Sequence, residues 1–195
     1  MDANTDYGAS FKAITTKLKK RFLRKPNVSE AIEEYTALSK QLEQEECFGL
    51  AAYCMQQVAK SYHSVGNTVS ESTALQLAAK HYLNAEISSS VEAGTVTFGE
   101  DLLSAVSLYE EGIRLHCDQN EKQIAGKLCL ELADLLAMKF DRLFESLSYY
   151  ERAIVLFSST QSLEQSAASL QVLIVQLKLA SLRVLTNSLN LTFGS

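Results

Sequence analysis

The sequence predicts an all-α protein, an array of antiparallel helical hairpins with about eight helices. Apolar residues recur at helical spacing along almost the whole chain, and no segment alternates apolar and polar residues convincingly enough to indicate a strand. The 195 residues include one proline and eight glycines, the residues that a helix interior tolerates least. A hydrophobic fraction of 47% argues against disorder and is sufficient for a packed core.

Three helices are predicted before the first glycine-containing break. The first covers about residues 7–23 and ends before Pro26, because the residue preceding a proline avoids helical geometry. Asn27 and Glu30 fit a capping box that starts the second helix, and the third covers about residues 48–64. After Gly66-Asn67, Thr68 and Glu71 predict the cap of a fourth helix. The apolar stripe of the first helix consists of Phe11, Ile14, Leu18 and Phe22.

From residue 68 onward, two helix pairs fit a tetratricopeptide-like repeat, in which small residues lie where two helices cross closely. The packing residues of the first pair are Ala78, Ala79, Tyr82, Ala105, Tyr109 and Gly112. Those of the second pair are Leu132, Ala133, Leu136, Ser146, Tyr150 and Ala153. A third pair starts near Ser162, with Gln165 completing a capping box, but lacks the turn that would finish it. The sequence therefore predicts a tetratricopeptide-like α-solenoid that is incomplete at its C-terminal end.

Two stretches depart from the regular hairpin pattern. Residues 88–99 predict a long loop where a short turn is expected, and such loops are usually surface excursions. The last helix has an apolar stripe that we expect to be exposed, at Leu170, Leu173, Ile174 and Leu177. The predicted organisation is a basic N-terminal helix over residues 1–26, the helical array over 27–187 and a tail over 188–195.

The residue types that carry out chemistry do not occur in functional patterns. The sequence contains no HExxH, no glycine-rich phosphate loop, no GxSxG and no CxxC pair. Neighbouring glutamates point to different sides of a helix, whereas paired acid–base chemistry needs two carboxylates in one cleft. The tyrosines fall on apolar stripes, which indicates packing. We therefore predict a protein that is not an enzyme, with no catalytic residues, no metal and no cofactor.

One short segment differs in charge from the rest of the chain. Residues 12–25 contain seven cations and no acid, whereas the whole chain has 18 basic and 23 acidic residues. Four interpretations remain open: a solvated helix end, a nuclear-import or nucleic-acid arm, a membrane-surface helix that binds anionic lipid, and a docking element for an acidic protein. The acidic remainder argues against nucleic acid. The candidate partner-binding residues are Lys17, Lys19, Lys20, Arg21, Arg24 and Lys25.

Three segments resemble the family of the forty-kilodalton huntingtin-associated protein. They are KLKKRFLRKPNV (17–28), EECFGLAAYCMQQVA (45–59) and KLCLELADLL (127–136), and they keep the family's order. The resemblance covers the N-terminal half of the family's sequence. It implies a tetratricopeptide-like helical array that binds huntingtin, linked through an early-endosomal Rab GTPase to vesicle trafficking.

The polar N-terminus lacks the apolar run of a signal peptide, and the charge-free run over 165–177 is too short to span a bilayer. We therefore expect a cytoplasmic protein. The resemblance adds association with early endosomes, and the basic segment leaves a nuclear location open. Membrane contact is expected to be indirect or weak.

Overall fold

The structure is a computed structural model and describes residues 7–18, 27–93, 99–158, 166–176, 178–180 and 182. Every regular element within those residues is helical, so the all-α prediction is confirmed. Residues 166–176 are also helical. The tetratricopeptide-like solenoid remains a prediction, as do the predicted domain bounds. The helices are α1 (Tyr7–Leu18), α2 (Val28–Gln44), α3 (Phe48–Ser64), α4 (Thr68–Ala93), α5 (Glu100–Asp118), α6 (Lys122–Lys139) and α7 (Leu143–Phe157).

The chain divides into two compact units, Met1–Leu108 and Tyr109–Ser195, and the boundary falls within α5. In the first unit α1 packs on α2, α2 on α3 and α3 on α4. In the second unit α6 packs on α7. In each of these pairs a helix contacts its neighbour in sequence, which is the arrangement expected of helical hairpins with short connections.

The turns after α2 and after α3 share one hydrogen-bonding pattern. After α2, the N–H of Cys47 donates to the carbonyl of Leu42 (2.8 Å), and Glu46 takes a positive φ of 58°. After α3, the N–H of Asn67 donates to the carbonyl of Tyr62 (3.1 Å), and Gly66 has φ of 71°. This Schellman motif satisfies the last carbonyls of one helix and places the next residue to start the following helix.

Two predictions made at helix ends are wrong, and both have a local cause. Asn67, not Thr68, caps α4, because its Oδ1 accepts from the N–H of Ser70 (3.1 Å). The predicted loop over 88–99 is wrong over 88–93, where α4 continues to Ala93. Serine is compatible with this helix because the Ser90 hydroxyl donates to the carbonyl of Ile87 (2.8 Å). The rest of that loop, 94–98, lies outside the described residues, and so does the predicted cap at Ser162 and Gln165.

Each unit has its own apolar core. In the first, Tyr35 of α2 is almost completely buried, and Ala51, Ala52, Ala78 and Ala79 of α3 and α4 are fully buried. Small residues at these positions let the helices approach closely. In the second unit, Gly126 has the same role: an added Cβ would lie 2.7 Å from the ring of Phe157. Another apolar cluster of this unit contains Ala133, Leu143, Tyr150 and Val175.

Candidate protein-binding surface

The basic segment is described only at its start. Lys17 lies in the last turn of α1, and Lys19, Lys20, Arg21, Arg24 and Lys25 lie outside the described residues. The Lys17 ammonium donates to Glu30 Oε1 (2.7 Å) and also to Glu34. Any partner that uses Lys17 must therefore compete with two carboxylates of α2. All three side chains are partly exposed, so salt screens these pairs.

The contacts between Lys17 and α2 change the proton affinity of both sides. The hydrogen bonds that Lys17 donates to Glu30 and Glu34 raise the pKa of Lys17 above its ordinary value. The hydrogen bond from Lys17 lowers the pKa of Glu30, and a hydrogen bond from Tyr7 lowers that of Glu45. The charged forms of Lys17, Glu30 and Glu45 are therefore favoured at neutral pH.

The apolar stripe of α1 faces the protein over its described part. Ile14 is buried, and the ring of Phe11 lies edge-to-face with Tyr53 at a centroid distance of 5.3 Å. Phe11 also contacts Tyr35, whose hydroxyl lies 2.7 Å from that of Thr15. This part of the stripe is already packed against other residues of the chain. The packing argues against the interpretation in which α1 binds lipid. Phe22 lies outside the described residues.

The predicted repeat-packing residues are buried, with one exception. Tyr82 is half-buried and accepts a hydrogen bond from the Gln56 amide (3.2 Å). Burial raises the pKa of Tyr82, Tyr109 and Tyr150, so their phenols stay protonated at neutral pH. These side chains therefore pack and bond within helix pairs. The buried members are Ala78, Ala79, Ala105, Tyr109, Gly112, Leu132, Ala133, Leu136, Ser146, Tyr150 and Ala153.

Two phenols of the second unit bind carboxylates of α6. Tyr109 donates to Glu131 Oε1 (3.0 Å), and Tyr150 donates to Asp134 Oδ1 (2.5 Å). Leu130, Leu135 and Met138 lie beside these acids in an open groove of about 390 Å³ along α6. Lys127 and Lys139 line the same groove, so it offers apolar contact area among charges of both signs.

An ion pair missed by the sequence analysis crosses the second unit. Arg152 of α7 donates to Glu110 Oε2 of α5 (2.8 Å), although 42 positions separate the two residues. Burial raises the pKa of Tyr149, and so does the hydrogen bond that its hydroxyl donates to Glu110. Nothing in the local sequence indicates this pairing, because both residues look like solvated charges on separate helices.

The nucleophilic and metal-ligating side chains are dispersed. Burial raises the pKa of Cys54 and of Cys129 to about 12, so both are protonated at neutral pH. The imidazole of His81 is buried, burial lowers its pKa, and its Nδ1 has no hydrogen-bond partner among the described residues. Within those residues, no three histidine, cysteine or acidic side chains come together where a metal ion could bind.

None of the described helices combines the length and the hydropathy that crossing a membrane requires.

Comparison with known proteins gives a relationship over most of the chain. The sequence is similar to the "40-kDa huntingtin-associated protein" of Rattus norvegicus and to that of Mus musculus. Each is 38% identical over 132 residues, which make up 67% of this chain and 35% of the relative. The chain thus spans about a third of the length of the curated relatives that it matches. No protein-family model matches the chain.

Proposed function

Because the chain belongs to the family of the 40-kDa huntingtin-associated protein, we propose that it is a non-catalytic protein-binding scaffold that docks on huntingtin. The observation that carries the proposal is the 38% identity to relatives that are named for this association. The described part of the structure supports it, because Tyr109 and Tyr150 bond within the second unit and Cys54 and Cys129 are buried. One glutamate of each adjacent pair also contacts another helix, at Glu34, Glu45 and Glu110.

The basic segment is the proposed docking element. Its cations differ in sign from the acidic remainder of the chain, so they provide the electrostatic complementarity that orients an acidic partner. Lys17 already binds Glu30 and Glu34, so Lys19, Lys20, Arg21, Arg24 and Lys25 are the cations left for this task in the proposal. Apolar residues of the array would then provide most of the affinity.

The wider role in the proposal is to connect huntingtin with vesicle trafficking. In this scheme the scaffold joins huntingtin to an early-endosomal Rab GTPase, in the cytoplasm and at early endosomes. The resemblance described above is the support for this step. The groove on α6, which contains Leu130, Leu135 and Met138, is a surface to which such a second protein could bind.

Two alternatives use the same cations. A membrane-surface adaptor would insert the apolar stripe of α1 into anionic lipid, but Phe11 and Ile14 already pack inside the first unit. That function would require α1 to leave α2. A nuclear-import arm needs only the cations, and it differs from docking because it requires no residue of the later hairpins.

A binding assay with purified huntingtin tests the proposal. The wild-type full chain is compared with the variant Lys19→Glu/Lys20→Glu/Arg21→Glu at salt concentrations of about 50 and 500 mM. We expect capture by the wild type, and loss of at least about 90% of it in the variant at the lower salt concentration.

The matched control, Lys40→Glu/Lys60→Glu/Lys122→Glu, reverses three exposed lysines elsewhere and should retain capture. If a folded, helical wild-type chain fails to capture huntingtin, the docking function is wrong. Equal loss in both triple variants would show that net charge, not the basic segment, determines binding.

A further inference from the structure

The contacts of α1 define a surface on α2 and α3 that is distinct from the groove on α6. Tyr7, at the start of α1, donates to Glu45 just after the end of α2. Lys17, at the end of α1, binds Glu30 and Glu34 near the start of α2. The two helices are therefore antiparallel, and each end of α1 is held by a carboxylate.

The middle of the same surface is aromatic. Tyr35 and Tyr53 receive the ring of Phe11 at centroid distances of 6.4 Å and 5.3 Å. The hydroxyls of Thr15 and Tyr35 are 2.7 Å apart. We call the residues Glu30, Glu34, Tyr35, Glu45 and Tyr53 the acidic strip.

The charges of the two helices are complementary. Residues 7–18 contain Lys12 and Lys17 and no acid. Residues 28–46 contain six glutamates and one lysine, Lys40. The acidic strip therefore favours a helix that is basic along its length, with an aromatic residue and, six positions later, a lysine.

The burial of α1 is small compared with that of its neighbours. Ile14 is its buried residue, whereas α3 buries seven, Ala51 and Val58 among them. Contacts that depend on partly exposed ion pairs and on one aromatic ring stabilise a helix by little. An external helix with the same pattern therefore competes with α1 once its concentration, or its additional contacts, offset the effective concentration of the tethered α1.

We propose that the acidic strip is a binding surface for a basic amphipathic helix of a partner protein, and that α1 is its intramolecular occupant. Binding of the partner helix displaces α1 and makes the apolar stripe and the cations of α1 available together. The proposal depends on the described contacts of α1, α2 and α3 and is independent of whether huntingtin is the partner of the basic segment.

A fluorescent peptide with the sequence of residues 7–18 and blocked ends is the probe. Its binding is measured by anisotropy against the full wild-type chain and against the release variant Phe11→Ala/Lys17→Glu. In the wild type the strip is occupied, so the apparent affinity is reduced by the fraction of chains in which α1 is detached. We expect the release variant to bind the peptide at least about tenfold more tightly.

Two further variants locate the binding surface. Glu30→Gln/Glu34→Gln, added to the release variant, should abolish peptide binding without rebuilding a reversed ion pair to residue 17. Glu33→Gln/Glu43→Gln makes the same charge change at exposed positions of the same helix and should preserve most of it. A milder release variant, Tyr7→Phe/Lys17→Gln, replaces the first if circular dichroism shows a loss of helix.

Three results would overturn the proposal. The first is no binding by a natively helical release variant. The second is equal affinity of the wild type and the release variant, which would place the peptide elsewhere. The third is equal loss of binding in the two glutamate variants, which would reduce the interaction to general charge attraction.

Discussion

The two ends of the described helical chain are held in different ways. At one end, α1 contacts α2 through Lys17, Phe11 and a phenol–carboxylate hydrogen bond, and it buries Ile14. At the other, the helical residues 166–176 bury Ala168 and Val175 but leave Leu173 56% exposed. Val175 lies in an apolar cluster with Tyr150.

This difference predicts different sensitivities. Ion pairs between partly exposed groups weaken with salt and with extremes of pH, whereas apolar burial does not. The contacts of α1 are therefore of the kind that another helix can replace. The stability of residues 166–176 instead depends on how completely neighbouring apolar side chains fill the space around them. Hydrogen bonds and ion pairs also select which helix binds, because they need a matching group at a fixed position. An apolar face can pack against many different apolar surfaces.

The largest effect is expected at the apolar cluster of the second unit. Tyr150→Ala removes a fully buried ring, so we expect the free energy of unfolding to fall by about 3–5 kcal/mol. Urea denaturation followed by circular dichroism measures this loss, and amide exchange in residues 166–176 should accelerate. Tyr150→Phe is the control, because it keeps the ring and removes only the hydrogen bond to Asp134, at about 1 kcal/mol. Equal losses in both variants would contradict the packing role.

A change in stability of intermediate size is expected at residues 166–176, where substitutions on the buried and on the exposed face should differ. Val175 is 2% exposed, so Val175→Ala should lower the free energy of unfolding by about 2 kcal/mol. Leu173→Ala, on the exposed face of the same stretch, should change it by less than about 0.5 kcal/mol. The same denaturation measurement compares the two. A larger loss at Leu173 would show that this face is covered and that the account of this end is wrong.

The smallest effect is expected at α1 and depends on pH. The pKa of Glu30 is lowered in the folded chain, so its contribution is complete above the ordinary value of 4.5 and is lost as the pH falls through the lowered pKa. The pKa of Lys17 is raised, so its contribution is complete below 10.5 and is lost as the pH rises through the raised pKa.

Amide protection of residues 7–18 should therefore be greatest between these limits and should decrease with added salt. Lys17→Gln should flatten this dependence at the alkaline end without altering the protection of α3. Protection of α1 that is independent of both pH and salt would show that Ile14 and Phe11 hold the helix without the ion pairs.

Helix positions were predictable where a local pattern determined them. The bounds of α3 follow from its apolar periodicity and the Gly66-Asn67 break. The cap of α2 is observed at Asn27, whose Oδ1 accepts from the N–H of Glu30 (3.3 Å). The start of α4 was misassigned by one residue because the Schellman turn after α3 makes Asn67 the cap, and this depends on the preceding helix.

The candidate site was less predictable, because its contacts join residues far apart in the sequence. The cations of residues 12–25 are evident from composition, but the pairing of Lys17 with Glu30 and Glu34 depends on how α1 packs on α2. The pairing of Arg152 with Glu110 is similar. A single sequence gives the charge of a helix face, and tertiary packing determines which opposite charge it meets.

Hydrogen–deuterium exchange of the full chain, with and without purified huntingtin, tests the proposed docking most directly. The account predicts that huntingtin slows amide exchange across residues 17–25 while the helix content is unchanged. A folded, helical chain whose exchange is unaltered at every residue by an excess of huntingtin would contradict it.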